Sequence, residues 1–557
     1  MIRVSEITLE RFYNNPLYRD YIFNFDNLQD RFQYDYRKLE SYKENASRTK
    51  NCYNDKFRNE IAAILKKYNI RLNCNSKTLE YIESLKDKDS VVIIGGQQPG
   101  FLGGPAYIIY KILTILKLSS YLAEKLNIRV VPCFWNASDD SNFDNINNLY
   151  FLGQELKKID LDLTDYRSNK PGSTGKQTRF SDLYFPSLAV KNQINEFAGL
   201  LPETEFKPKI FNLLQDCLDV TLSNFNQKAG LSISSFFSAI ISRIFSGYGL
   251  VVIDPGVPEL KKLSAKILEF DVTNHVKINK IIKENGSLLV RRGYHSQLNE
   301  SLNIDSLNFF QSASGSRVKI METDEDKLID IIDNEILKLN LNVVLRPLFQ
   351  DWLLPVVCTV CGPGEVSYFA QLKEIYDMAE IGMPVIYPRF SATIIENKIS
   401  SLLEKIGIRQ EDFELGKETL KKKILLADKG KEIDELLVNF QNDVMFKLEN
   451  LKKTITIKNI NTVSSFDRVE KNIRKELGTL YKKIYSDIKK RDSFISDAVD
   501  RIYLNLFPDY RLQERVVNIF NYINKYDFGF LDSIYNEIIP MSFLHKFIKI
   551  EKEKDGS

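Results

Sequence analysis

Histidine is almost missing from this chain: 557 residues contain three, His275, His295 and His545, in unrelated segments and with no ligand spacing among them. A histidine-built zinc site or a Ser-His-Asp triad is therefore not expected, and no metal site is assigned. Cysteine is also sparse. Cys52, Cys74, Cys133, Cys217, Cys358 and Cys361 are scattered through a long chain rather than spaced as a disulfide framework, so reduced thiols are expected. Cys358 and Cys361 make a CxxC, but no second pair exists and i and i+3 face opposite sides of a strand, so they read as buried thiols. Charge of one sign is lacking too. The 77 basic and 74 acidic residues leave a net +3, which gives no global electrostatic case for nucleic acid or an anionic membrane. No run of about 18 apolar residues occurs, and the opening MIRVSEITLERFYNN lacks a signal-peptide core, so a cytoplasmic protein with no membrane partner is expected.

What remains is an ordinary globular composition, 43% hydrophobic and 27% charged, in a chain long enough for a sizeable core. Residues 1–90 read as helices, with Phe57, Ile61 and Leu65 at steps of four and Leu79, Ile82 and Leu85 at steps of three. Val91 to Ile94 is a short buried strand, Ala106 to Leu126 a long apolar helix, and Arg129 to Trp135 a second strand. That order predicts a βαβ unit with parallel strands. The loop after each strand then emerges at the carboxyl edge of the sheet, where open α/β sheets bind ligands. Leu250 to Ile253 reads as a further strand ending at Asp254, and alternation with turn signals near 285–325 reads as a small β-rich insertion. NVVLRP and LLPVVCTVC read as strands, Gly362-Pro363-Gly364 as a turn, Glu365 to Glu380 as a helix and PVIYPR at 384–389 as a strand, giving the second half of a doubly wound sheet over 1–395. Beyond it, Ile433, Leu437, Phe440, Val444, Leu448, Leu451 and Ile455, then Phe466, Val469, Ile473, Leu477, Leu480, Ile484 and Ile488, alternate steps of three and four. This is a coiled-coil seam, and the IKNINT break makes 396–511 an antiparallel α-helical hairpin. Residues 512–557 read as shorter helices returning to the core.

The stretch VVIIGGQQPGFLGGPAYIIYK, from Val91 to Lys111, is the strongest site signal. Phe101 and Leu102 stand where a P-loop needs Lys and Ser or Thr, and no GxGxxG is intact, so neither nucleotide fingerprint applies. Gly96, Gln97, Gln98, Gly100, Gly103 and Gly104, ending at the helix start at Pro105, still offer amides to a phosphate or carboxylate; a plain structural turn is the alternative. Tyr107, Lys111 and Thr114 form one polar stripe on an apolar helix, so Lys111 either meets a partner or ligand or snorkels to solvent. Asp139, Asp140 and Asp144 suit Mg2+, a ribose or an amine proton, against a solvated capping loop. Arg346, Gln350 and Asp351 follow one strand and Arg389 ends another, while Glu365, Tyr368 and Gln371 recur at steps of three on one helix face. All would stand at the carboxyl edge, beside Trp135 and Gly364.

With these residues in view, the sequence resembles the bacillithiol biosynthesis cysteine-adding enzymes, the BshC family. The resemblance rests on GGQQPGFLGGPAYIIYK at 95–111, VPCFW at 131–135, NVVLRPLFQDWLLP at 342–355, CGPGEVSYFAQL at 361–372 and MPVIYPRFSATIIENKI at 383–399. It implies a Rossmann-like α/β core with inserted connecting segments, a coiled coil used for homodimerisation, and addition of L-cysteine to glucosaminyl-malate through an amide bond. A carboxylate is a poor electrophile, so ATP, with Mg2+ in attendance, is the expected activator, with Lys111, Asp139 and Asp140 as catalytic candidates. Two histidines of the family's acidic-loop pattern are absent: this chain reads Asp139, Asp140, Ser141, Asn142, with Asn148 further on. A divergent amino-acid or nucleotide transferase and a non-catalytic coiled-coil protein are the alternatives.

Overall fold

The computed structural model describes residues 2–7, 13–160, 178–225, 230–298, 303–313, 316–429, 431–457, 463–491 and 493–550. Five strands make the central sheet: β1 (Val91–Gln97), β2 (Val130–Asn136), β3 (Val251–Ile253), β4 (Val356–Cys361) and β5 (Val385–Pro388), in the order β5-β4-β1-β2-β3. All pairings are parallel. Their runs of valine and isoleucine are buried on both faces, as a parallel sheet requires, and β2 is buried along its whole length. From β1 the chain moves to β2 and β3 on one side and later to β4 and β5 on the other. The order therefore reverses between β1 and β4, and the crevice of such a sheet lies there, outside the carboxyl ends.

The chain divides into two compact units. The larger, Phe12–Ala392 with Glu514–Lys546, holds the central sheet; the smaller comprises Met1–Arg11, Thr393–Gln513 and Phe547–Ser557. The doubly wound Rossmann-like core is as expected, and so is the coiled-coil hairpin, formed by helices Lys431–Ile457 and Val463–Arg491. The two helices pack on each other, with Lys452 and Asp467 paired at 2.6 Å near the turn. The apolar helix Ala106–Leu126 is long enough to cross a membrane by length and composition, yet 72% of its most apolar window is buried inside the fold. It is a core helix against β1 and β2.

Five expectations change. Residues 1–90 are not all helical, because Ile2–Ile7 is a strand in a sheet ordered Ile2–Ile7, His545–Ile550, Ala392–Ile395; the same sheet makes a strand of a segment expected to be helical near the C-terminus. The β insertion starts later than 285, since helix Ala265–Arg291 runs through it, and its strands are Phe309–Ala313, Ser316–Lys319 and Leu339–Leu341. NVVLRP is not a strand. The Asn342 side chain accepts from the amides of Val344 and Leu345 at 2.8 and 3.2 Å and starts helix Leu345–Leu353, and Pro347 falls in its first turn, where an N–H has no intrahelical acceptor. Glu365 to Glu380 is two helices, Pro363–Phe369 and Lys373–Met378.

Candidate active site

The floor of the crevice is the carboxyl end of β1. Lys111, one turn and a half into its helix and only 1% exposed, reaches back under it and donates to the Gly96 carbonyl at 2.7 Å, Gln97 Oε1 at 3.2 Å and Glu365 Oε2 at 2.5 Å. An ammonium has three donors, and here three acceptors fill them. The same Glu365 oxygen takes the Gly362 amide at 2.6 Å, so one ion pair locks the end of β1 to the turn after β4 across the switch point. Gly95 is needed for this approach: a Cβ there would stand 2.9 Å from the Val360 carbonyl and 3.3 Å from the Lys111 chain. The expected catalytic amine is thereby a fully engaged ammonium rather than a free one.

The second wall is the loop after β2. Gln98 Nε2 donates to Asp140 Oδ2 at 2.5 Å and the Ser141 amide to Asp140 Oδ1 at 2.6 Å, which joins the glutamine loop to the acidic loop. Beside it Asp139 is 7% exposed, and its Oδ1 is buried with no hydrogen-bond partner. Burial pushes its carboxyl above the ordinary range; Arg346 and Arg317 oppose this and Asp140 adds to it. Burial disfavours charge on Arg346, but Asp139, Tyr368, Asp140 and Glu365 around it hold its pKa above the usual value. Arg317 goes the other way, lowered by burial in spite of Asp140 and Asp139, with its Nε unpartnered and Nη1 3.3 Å from Ser141 Oγ. Asp139 and Asp140 on one side and Arg346 and Arg317 on the other act on one another electrostatically, with no ion pair among them in the described residues.

Under the acidic loop, Asp254 at the end of β3 is buried and accepts from Ser234 Oγ at 2.9 Å, Tyr68 at 3.2 Å, the Gly256 amide at 2.8 Å and Ser138 Oγ. Ser138 stands next to Asp139, so this network fixes the base of the loop. Asn136, at the end of β2, adds bonds of 2.8 Å to Ser234 and Ser238.

At the β5 end, Arg389 is 6% exposed and gives Nη2 to Glu514 Oε1 at 2.5 Å, with its guanidinium carbon 5.3 Å from the Tyr107 ring centroid. Tyr107 in turn accepts from Gln97 Nε2 at 3.0 Å, connecting this wall to the floor. The first turn of the two-turn Pro363–Phe369 helix carries Gly364 and Glu365, and Tyr368 lies near Arg346.

The predicted residues therefore separate. Gln97, Gln98, Tyr107, Lys111, Asp139, Asp140, Arg346, Glu365, Tyr368 and Arg389 come together around the crevice. Gly100, Gly103 and Gly104 form a buried structural turn instead: the Phe101, Gly103 and Gly104 amides bond to Ile146, Gly100 and Phe101 carbonyls, and the Ala106 amide bonds to Val517. The helix start that looked available to an anion is capped by protein. Gln371 is fully buried and accepts from the Gln297 and Leu298 amides at 3.0 and 3.2 Å, away from the chemistry. Gln350 is buried against Asp351, and Trp135 is a core ring against Phe349 whose Nε1 lacks a partner. Sequence reasoning missed Arg317 and Glu514, which arrive from remote segments, and left Asp254 without a role although its strand-end position marked it.

The comparisons fit this arrangement. The model of the bacillithiol biosynthesis BshC N-terminal Rossmann-like domain matches residues 2–390, and that of the BshC C-terminal coiled-coil domain matches residues 392–550. A BshC protein of Natranaerobius thermophilus, provisionally named a cysteine ligase, is 28% identical over 555 residues, covering 95% of this chain and 96% of its own. Relatives of the same name from Salinibacter ruber and Bacillus licheniformis are 28% and 27% identical, covering 96% and 99% of this chain and 96% and 100% of theirs. A Rossmann-like sheet with its crevice at the β1/β4 switch point, followed by a coiled-coil hairpin and matched over both parts, places this chain in the bacillithiol biosynthesis BshC family.

Proposed function

We propose that this protein is a cytoplasmic cysteine ligase that joins L-cysteine to glucosaminyl-malate through an amide bond; Arg346 and Arg317 would hold the phosphates of ATP, which would supply the activation that the cysteine carboxyl needs, and the described residues hold no cluster that fits Mg2+. The observation that carries the reading is Asp139: a buried carboxyl with an unpartnered oxygen, set between two arginines at the carboxyl edge of the sheet. In the bond-forming step the sugar amine attacks the activated carbonyl carbon, a C–N bond forms, and the C–O bond to the activated oxygen breaks, that oxygen leaving with the phosphoryl group it carries. The amine proton goes to Asp139, whose affinity for it burial has raised. Arg346 and Arg317 face the negative charge that develops on the oxygens, and Lys111 keeps Glu365 and the glutamine loop in register. Support for the nucleotide comes from the chemistry of an unreactive carboxylate and from this pair of arginines. A homodimer through the coiled coil accompanies this reading.

The test is formation of bacillithiol, read by mass spectrometry, in cells lacking this last step and supplied with the chain or with Asp139→Asn. The chain is expected to restore the thiol and Asp139→Asn to lower it about 100-fold or more while remaining folded. A variant as active as the parent removes Asp139 from the reaction, and a folded parent that makes no thiol removes the substrate assignment. Ser141, where the family pattern carries histidine, favours a second reading as a transferase for another amine. Release of a cysteine conjugate other than bacillithiol would distinguish it.

A further inference from the structure

Asn340, in the middle of strand Leu339–Leu341 of the β insertion, is 1% exposed and has its whole amide engaged. Its Oδ1 accepts from Arg179 Nη1 at 2.8 Å and Lys261 Nζ at 3.0 Å, and its Nδ2 donates to Ser312 Oγ at 2.9 Å and the Lys338 carbonyl at 3.2 Å. A carboxamide has two acceptor lone pairs and two N–H bonds, and all four are used. Three segments far apart in sequence meet at this one side chain, and each leads to the acidic loop.

Arg179 leads to Asp139. Its Nε and Nη2 go to Asp182 Oδ2 at 2.7 and 2.6 Å, and its Nη1 goes to the Leu337 carbonyl at 3.2 Å as well as to Asn340, so the guanidinium is held from two sides. The next two amides in the chain, those of Phe180 and Ser181, donate to the Asp140 and Ser138 carbonyls at 3.0 and 2.9 Å. The residues on either side of Asp139 are thus bracketed by the segment that Arg179 anchors. Lys261 lies on helix Pro258–Lys262, just after the Asp254–Gly256 turn that grips Ser138. Ser312 leads to Arg317, its register partner across the antiparallel strands Phe309–Ala313 and Ser316–Lys319, while Asn340 is the register partner of Phe310. These four side chains share one face of the insertion, where the Arg317 guanidinium carbon stands 4.3 Å from the Phe310 ring centroid and Nη1 reaches Ser141 Oγ.

We propose that Asn340 is a positioning residue for the reaction: it ties the insertion that carries Arg317 to the segment that brackets Asp139, and so fixes the proton acceptor and the neighbouring arginine relative to each other. The roles of Asp139 and Arg317 rest on the ligase reading, whereas the tie between their segments does not. Leucine at 340 fills the same space and breaks the tie. Aspartate keeps an acceptor for both Arg179 and Lys261.

Full-length protein and its Asn340→Leu and Asn340→Asp variants, compared by hydrogen exchange over 137–141 and 178–182 and by the kinetics of conjugate formation from L-cysteine, glucosaminyl-malate and ATP, test it. Asn340→Leu is expected to speed exchange in both segments about 10-fold and to lower kcat about 10- to 100-fold with little change in KM for L-cysteine, the mark of misplaced reacting groups. Asn340→Asp is expected to recover most of both losses. Packing alone predicts the reverse order, since leucine matches the volume and aspartate buries a charge. A leucine variant that exchanges like the parent or turns over like it, or an aspartate variant no better than leucine, overturns the proposal. Should the leucine variant not fold, Arg179→Lys, which keeps the charge but not the planar fork, reads the same tie: it is expected to speed exchange over 178–182 and to lower kcat, and a parental value of either overturns the proposal. If the parent forms no conjugate while leucine loosens both segments and aspartate restores them, the ligase reading fails and the tie stands.

Discussion

On the helix that carries Arg346, Asp351 is buried and accepts from the Tyr376 hydroxyl at 2.5 Å and from Gln350 at 3.3 Å. Burial pushes its carboxyl up to about 7, and these two bonds only partly offset the push. The fold therefore prefers the neutral acid: the stability that this preference contributes is complete below about pH 4, near the unfolded value, and is lost as the pH rises through about 7. Asp351→Asn keeps a neutral side chain at every pH. We expect it to unfold in urea like the parent at pH 4 and to be the more stable protein at pH 8, by up to about 4 kcal/mol at about 1.4 kcal/mol per pH unit. An unchanged gap between the two pH values would remove Asp351 as the titrating group. At this scale the sequence was legible where a residue broke a local rule. A lysine on an apolar helix had either to meet a partner or ligand or to snorkel to solvent, and it meets Glu365. Arg317 broke no local rule, since an arginine on a strand is ordinary. Only the fold brings it to Ser141 beside the acidic loop.

The glycine loop was legible as an element and misleading as a site. Glycine at 100 and 104 has a steric cause: a Cβ on Gly100 would lie 2.7 Å from the Gly104 backbone, and Gly104 has a φ of 68°, in the left-handed region. Asn518 closes the turn from outside, donating to the Leu102 and Gly104 carbonyls at 3.0 and 2.9 Å. The motif reads as a phosphate cradle because local sequence cannot show that residues 516–518, some four hundred positions away, use its end. Gly100→Ala and Asn518→Ala are each expected to destabilise the protein by about 1–3 kcal/mol, the first by a backbone clash and the second by leaving buried carbonyls unpaired. Melting curves read both, and a neutral Asn518→Ala would show that the carbonyls find other donors. The same limit explains NVVLRP, where β-branched valines suggested a strand and the capping Asn342 decided for a helix.

For the whole molecule, the parallel sheet and the long hairpin were legible because their periodicities persist over many residues, whereas the N-terminal strand pairs with His545–Ile550 at the far end of the chain and leaves no local trace. The hairpin still has unfinished business in its own chemistry. Leu437, Val444, Leu448 and Ile455 of the predicted seam are half-buried against the second helix, but Phe440 and Leu451 are 54% and 52% exposed, as are Leu436 and Phe446 nearby. The second helix leaves Val469 and Leu480 exposed at 44% each. Helices of 27 and 29 residues extend about 40 Å at 1.5 Å per residue, and a two-helix hairpin of that length cannot cover both faces of its own stripe. A second copy of the same hairpin would supply a matching apolar stripe of the required length, and symmetric pairing is the common solution for such a surface. Light scattering on the full chain is expected to give twice the mass of 64.5 kDa, and Phe440→Glu combined with Leu451→Glu to return it to one copy without loss of helix content. A parent that is monomeric at micromolar concentration, or a double variant that keeps the parent's mass, would assign the exposed stripe to something other than self-association. Because the substituted positions lie on the hairpin and not among the cleft side chains, formation of bacillithiol should be unaltered in the double variant, which separates assembly from chemistry.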